Sequence, residues 1–150
     1  MAWTFLVIDG SEAQSARTVE QLSKLQPGAD VLVAANGEAA LSLLEEQRLV
    51  PSLILADYAL HGMNGIDFLG AVRMKRWLEG TPVAIVSEPI SDRLVVNCYR
   101  FGACAFLTKP VQLYEMRETL RDFAQPMKRM TAATVIPGFA GRSATSKTAA

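Results

Sequence analysis

Soft-metal ligands are scarce in this chain, with two cysteines and one histidine in 150 residues. Cys98, Cys104 and His61 make no zinc spacing, and two thiols build no disulfide framework. Such cysteine usage predicts a reducing, cytoplasmic compartment. Charge of one sign is not in excess either. Fifteen Lys and Arg balance fifteen Asp and Glu, which argues against a protein that grips DNA through its phosphates. No apolar run reaches the roughly 18 residues of a membrane span. The N-terminus, Met1-Ala2-Trp3-Thr4, lacks the basic stretch and small-residue cleavage site of a secretory signal. No internal repeat is visible. What remains is a chain that is 50% hydrophobic and 20% charged, the size and make-up of one domain with a core.

The charge is unevenly placed. Residues 125–150 hold Lys128, Arg129, Arg142 and Lys147 and no acidic residue. That leaves eleven basic against fifteen acidic residues, a net of −4, for residues 1–124. From Thr131 onward the chain is mostly Ala, Thr, Ser and Gly. The expected organisation is a domain over 1–124 and a flexible basic tail over 125–150. The alternative for the tail is a short docking segment built on Phe139 and the basic residues.

Apolar runs of strand length recur at 3–8, 31–34, 53–56, 83–86 and 105–107. They do not alternate with polar residues, as expected for strands buried on both faces of a parallel sheet. Between them the spacing predicts helices over 11–25, 38–47, 64–78, 91–101 and 111–123. The first places Ala16, Val19, Leu22 and Leu25 on one face. Pro27-Gly28, Pro51, Gly80 and Gly102 punctuate the pattern. Five strand–helix units define an α/β fold: a five-stranded, doubly wound parallel sheet with helices on both faces.

Ligands of such sheets bind beyond the carboxyl ends of the strands. The predicted strands end in Asp9, Asp57, Ser87 and Thr108-Lys109-Pro110. Each has an ordinary structural reading: a carboxylate or Ser87 can cap the next helix, and Lys109 can be a solvated charge. Together they place two carboxylates, a hydroxyl and an ammonium on one edge. That set suits phosphoryl transfer onto Asp57 as nucleophile. A hard cation such as Mg²⁺ would take oxygens from Asp9, Asp57 and the Ala59 carbonyl. Lys109 would offset charge on the phosphoryl oxygens, and Ser87 would donate to one of them.

The ordered set Phe5-Leu6-Val7-Ile8-Asp9, Ala35-Asn36-Gly37-Glu38-Ala39-Ala40, Leu53-Ile54-Leu55-Ala56-Asp57, Met63-Asn64-Gly65, Val86-Ser87 and Gly102-Ala103-Cys104-Ala105-Phe106-Leu107-Thr108-Lys109-Pro110 resembles the receiver domain of two-component response regulators. The similarity is to the single-domain, chemotaxis-type members and covers about residues 3–124. It implies a flavodoxin-like (βα)5 fold and a signalling protein rather than an enzyme. It implies a phosphoryl group on Asp57, delivered by a sensor histidine kinase or phosphotransfer protein. Ser87 and Lys109 would contact that group, Ser87 and Phe106 would act as the switch, and Lys109-Pro110 would be cis.

This chain departs from the family pattern in four places. The family has two adjacent acids after the first strand, the second of them a direct metal ligand; here the pair is Asp9-Gly10. Mg²⁺ binding is therefore expected to be weak. Glu88 follows Ser87 where the family has a small residue; it would restrict access to Asp57, point to solvent, or restore the missing charge. His61 stands where proline is common and reads as a loop residue. Phe106 lacks the hydroxyl of the commoner tyrosine.

With no further domain expected after residue 124, output would pass through the surface of a stand-alone receiver. Ile90, Val95, Tyr99, Gln112 and Tyr114 mark the expected partner face, for a downstream protein or a homodimer. Some of these residues can equally be core. The competing hypothesis is a degenerate receiver that binds a partner without phosphorylation, motivated by Gly10 and Glu88. A third, a small flavin protein or phosphohydrolase on the same fold, fares poorly. No Ser/Thr/Gly-rich phosphate loop follows the first strand, and Ala59 stands where a phosphohydrolase general acid would be.

Overall fold

The computed structural model describes residues 2–126. In chain order these form β1 (Thr4–Ile8), α1 (Glu12–Leu25), β2 (Asp30–Ala34), α2 (Gly37–Gln47), β3 (Leu53–Asp57), α3 (Gly65–Arg73), a 3-10 turn (Arg76–Leu78), β4 (Val83–Ser87), α4 (Asp92–Arg100), β5 (Ala105–Thr108) and α5 (Leu113–Phe123). The five strands are parallel and lie in the order β2-β1-β3-β4-β5.

β1 and β3 are buried at every residue. Alternate side chains therefore enter two separate cores. Leu6, Ile8, Ile54, Ala56, Val83 and Ile85 face α2, α3 and α4, where Ala40, Leu44, Phe68, Leu69, Val72 and Cys98 meet them. Phe5, Val7, Leu53, Leu55, Ala84 and Leu107 face α1 and α5, meeting Leu22 and Met116. A one-residue slip in any of these strands would exchange the two sets, so the apolar run also fixes register.

Short polar side chains start the helices. Ser11, Asn36, Asn64 and Ser91 accept from backbone N–H groups in the first turns of α1 to α4. Each satisfies a donor that has no partner within its own helix. Asn64 and Asp67 complete a reciprocal capping box. Ser87 caps nothing; Ser91 takes that role for α4.

Three expectations need correction. β2 and β5 are the outer strands of the sheet and are not buried on both faces: Asp30, Val33 and Thr108 are exposed, because an edge strand lacks a neighbour on one side. The third helix does not run from 64 to 78. It ends at Arg73, and Lys75 is extended at φ −96°, ψ 112° before the 3-10 turn. The break is held by the Arg73 guanidinium, which donates to Leu78 O and to Gly102 O, each at 3.3 Å. Leu78 is still fully buried, so the apolar spacing is served by a turn instead of a continued helix. On α1, Ser15 is buried while Ala16 is exposed. The Ser15 hydroxyl donates to Glu12 O at 3.1 Å, which makes its burial tolerable.

The expected tail lies, from residue 127 on, outside the described residues. Gln125, placed in that tail by the sequence reading, still donates its backbone N–H to Ser52 O at 3.2 Å.

Among the described residues, no helix is long and apolar enough to cross a membrane.

Candidate functional site

The strand order reverses between β1 and β3, and their carboxyl ends flank the crevice that results. Asp9 directly follows β1, and Asp57 is the last residue of β3. Both are nearly buried, at 9% and 8% exposure. Buried carboxylates need partners. Asp9 Oδ1 accepts from Ser11 N at 2.8 Å, and Asp57 Oδ1 from Ala59 N at 3.1 Å. Lys109, just beyond β5, brings the positive charge. Its Nζ donates to Asp57 Oδ2 at 2.8 Å and lies 3.9 Å from Asp9 Oδ2. Its backbone N–H donates to Ser87 O at 2.8 Å, so β4 and β5 hold the lysine in register with Asp57. The Lys109-Pro110 peptide is cis.

Close packing fixes the Asp57 end. A Cβ on Gly65 would lie 3.0 Å from both Asp57 O and Tyr58 Cα. Only glycine lets the first turn of α3 approach β3 so closely.

The structure brings Asp9, Asp57 and Lys109 together. Ser87 is adjacent on the edge and buried, but its hydroxyl donates to Glu88 O at 2.6 Å. Turning toward a phosphoryl oxygen would exchange that bond, which a hydroxyl rotor permits. Phe106 is half-buried and packs against the core on the α2–α3–α4 side.

Of the expected partner face, Tyr99 and Tyr114 are 49% and 58% exposed. Gln112 is exposed, and Ile90 and Val95 are half-buried. The Tyr99 hydroxyl accepts from Phe106 N at 3.0 Å, tying α4 to the outer strand of the sheet. Of the three options for Glu88, the structure favours an exposed side chain lining a cleft beside Asp57.

That cleft holds about 200 Å³ between α1 and the segment joining β5 to α5. Gln14, Arg17, Thr18 and Gln21 of α1 line one wall, with Lys109, Pro110 and Val111 opposite. Gln14 is the residue that the sequence reading missed. Its Oε1 accepts from Lys109 Nζ at 2.6 Å. A glutamine in the first turn of a helix carries no signal that separates it from an ordinary solvated side chain.

The oxygens fit a hard divalent cation in type but are few. They are the Asp9 and Asp57 carboxylates, 3.9 and 2.8 Å from the Lys109 ammonium. No group of three His, Cys, Asp or Glu is gathered for a metal among the described residues. A Cβ on Gly10 would meet only Ala35 O, at 3.6 Å. A side chain could start at this position, and the sequence supplies none.

The thiols are no part of this site. Cys98 is buried in the core, and burial pushes the Cys104 thiol up to about 11.

A parallel sheet in this order, with two carboxylates and a lysine at its carboxyl edge, is the architecture of a doubly wound α/β signalling domain. The family model of the response regulator receiver domain matches residues 5–121. The chain belongs to that family, the receiver domain of two-component response regulators. It is similar to the sensory/regulatory protein RpfC of Xanthomonas campestris pv. campestris, at 31% identity over 134 residues, 87% of this chain and 18% of RpfC. It is 35% identical over 109 residues to the transcriptional regulatory protein AfsQ1 of Streptomyces coelicolor, covering 73% of this chain and 45% of AfsQ1. This chain thus spans less than half the length of both relatives. Among solved structures, the chemotaxis protein CheY4 of Vibrio cholerae superposes with a TM-score of 0.74 at 25% identity, over 82% of this chain and 99% of CheY4. The Mn(2+)-bound form of the response regulator Rcp1 shares the fold at a TM-score of 0.71 and 21% identity, over 84% of this chain and 97% of that one.

Receiver domains are signalling modules that take their input from histidine kinases or phosphotransfer proteins, and as a family they bind Mg²⁺. Both statements hold for the family as a whole.

Proposed function

We propose that this receiver accepts a phosphoryl group on Asp57 and switches a protein-binding surface in response, as a cytoplasmic response regulator. The observation that carries this reading is the Lys109 ammonium, 2.8 Å from Asp57 Oδ2 on a nearly buried edge shared with Asp9. A carboxylate oxygen of Asp57 attacks the phosphorus of the donor. A new O–P bond forms, and the bond from phosphorus to the donor histidine nitrogen breaks. The nitrogen keeps the electron pair and the imidazole leaves. Lys109 keeps its charge throughout and moves a hydrogen bond from Asp57 to a phosphoryl oxygen. Ser87 turns its hydroxyl from Glu88 O to another. Asp9, Asp57 and the Ala59 carbonyl would hold a weakly bound Mg²⁺, which would supply further positive charge to the phosphoryl oxygens.

The partner on the input side is a sensor histidine kinase or phosphotransfer protein. On the output side, Ile90, Val95, Tyr99, Gln112 and Tyr114 form the face offered to a downstream protein or a second copy. The exposed rings of Tyr99 and Tyr114 are anchors of the type that dominates binding energy. The expected boundaries, a receiver over 1–124 and a basic tail over 125–150, belong to the same proposal. The second reading is a receiver that binds its partner without phosphorylation, favoured by Gly10, which leaves the cation site one carboxylate short.

Intact-mass spectrometry after incubation with acetyl phosphate and Mg²⁺ separates the two. The expected result is a single phosphoryl adduct on the wild type and none on Asp57→Asn. An unmodified wild type, both here and with a panel of purified kinases, would favour the binding-only reading.

A further inference from the structure

Lys109 has three donors on a flexible four-carbon stem. One goes to Asp57 Oδ2 at 2.8 Å and one to Gln14 Oε1 at 2.6 Å. Asp9 Oδ2, at 3.9 Å, is beyond hydrogen-bond reach. Gln14 is therefore the second direct acceptor of this ammonium, and it is neutral.

The hold is built into the fold. Asp9 Oδ1 accepts from Ser11 N at 2.8 Å, and Ser11 Oγ accepts from Gln14 N at 3.3 Å. A chain of hydrogen bonds thus runs from Asp9 through Ser11 and Gln14 to Lys109 and Asp57. It joins the ends of β1, β3 and β5 through the first turn of α1. Gln14 stands four residues after Gly10, the position where the sequence is a carboxylate short, in the first turn of α1.

We propose that Gln14 is a positioning residue, which fixes the Lys109 ammonium over Asp57 for phosphoryl transfer. Once Asp57 carries the phosphoryl group as an acyl phosphate, its carboxyl group no longer carries the full negative charge that held the lysine. Gln14 then keeps the ammonium in place while a phosphoryl oxygen takes the vacated donor. This rests on Asp57 being the acceptor, and the test separates the two.

The test compares wild type, Gln14→Met, Gln14→Glu and Asp57→Asn. Methionine keeps the length and helix propensity of glutamine without the acceptor; glutamate keeps an acceptor oxygen at the same reach. With acetyl phosphate and Mg²⁺, Gln14→Met is expected to form adduct about tenfold more slowly, the usual scale of one charge-assisted hydrogen bond. Gln14→Glu is expected to recover most of that loss, and melting temperatures to stay within a degree or two of wild type. A methionine variant that reacts at the wild-type rate, or a loss that glutamate does not recover, would overturn the proposal.

If the wild type forms no adduct with acetyl phosphate or with the panel of kinases, the phosphorylation reading fails and nitrogen-detected NMR of the Lys109 ammonium decides the positioning. A hydrogen-bonded ammonium exchanges its protons slowly and gives a resolved signal. Loss of that signal in Gln14→Met, with retention in Gln14→Glu, supports the hold. An unchanged signal in Gln14→Met rejects it.

Discussion

The middle of the sheet and its carboxyl edge lie a few residues apart on the same strands and follow opposite rules. Leu6, Ile54 and Ile85 are fully buried and satisfied by any apolar neighbour of the right volume. Asp9, Asp57 and Ser87 are almost as buried, and each depends on particular atoms: Ser11 N, Ala59 N, the Lys109 ammonium and Glu88 O. Burial alone stabilises the first region, since apolar contact is non-directional. In the second, burial costs free energy until every partner is in place. The sheet centre is where stability resides, and the edge is where that stability is used to hold polar groups in a fixed arrangement. Large effects on folding are expected from the first, and large effects on chemistry from the second.

The sharpest way to break this division is Phe68→Ala. Phe68 is fully buried beneath the sheet on the α3 side. Its truncation is expected to cost about 3–5 kcal/mol, through lost transfer energy and a residual cavity. Urea denaturation measures this directly. A cost below 1 kcal/mol would mean that the core collapses around the gap and is not the stability reservoir described.

The same division explains what was legible in the sequence. Strands β1, β3 and β4 announced themselves because residues buried on both faces must be apolar whatever their neighbours. The parallel, doubly wound character of the sheet followed from the alternation of strand and helix, whereas its strand order came from the structure. Asp9, Asp57 and Lys109 were visible because polar residues ending apolar runs violate that rule. The break after Arg73 was not visible. Met74 and Lys75 carry no helix-stopping chemistry, and the interruption is imposed by Arg73 reaching Leu78 O and Gly102 O, the latter 29 residues away. Ser15 and Ala16 were exchanged because both are small and the face is decided by a local hydroxyl bond. Gln14 was invisible for a third reason: its role exists only in relation to Lys109, 95 residues on. Pairwise polar relations across such separations leave no trace in local pattern.

Gly10→Asp tests the edge from its weakest point. The space is open, with Ala35 O as the nearest atom at ordinary contact distance. A third carboxylate is expected to tighten Mg²⁺ binding on the order of tenfold, since ligand charge sets affinity for hard cations. Calorimetric titration reads the change. Folding stability without metal is expected to fall, because the added carboxylate meets Asp9 and Asp57 with one lysine to share among three. An unchanged Mg²⁺ affinity would show that the cation site is limited by geometry and not by charge.

Ser87→Ala gives the smallest effect on folding and sharpens the comparison most. The side chain is 2% exposed, comparable to the sheet centre, yet its contribution in the unphosphorylated protein is one hydrogen bond to Glu88 O. Alanine removes the donor and leaves a carbonyl that retains a second lone pair, so the expected cost is about 1 kcal/mol. After phosphorylation the same hydroxyl is expected to bind a phosphoryl oxygen in a charge-assisted bond, roughly twice as strong as a neutral one. The variant should therefore show near-normal urea denaturation and a visibly smaller stabilisation on phosphorylation. Equal losses in both states would mean that Ser87 never leaves Glu88 O, and that the edge works through Lys109 alone.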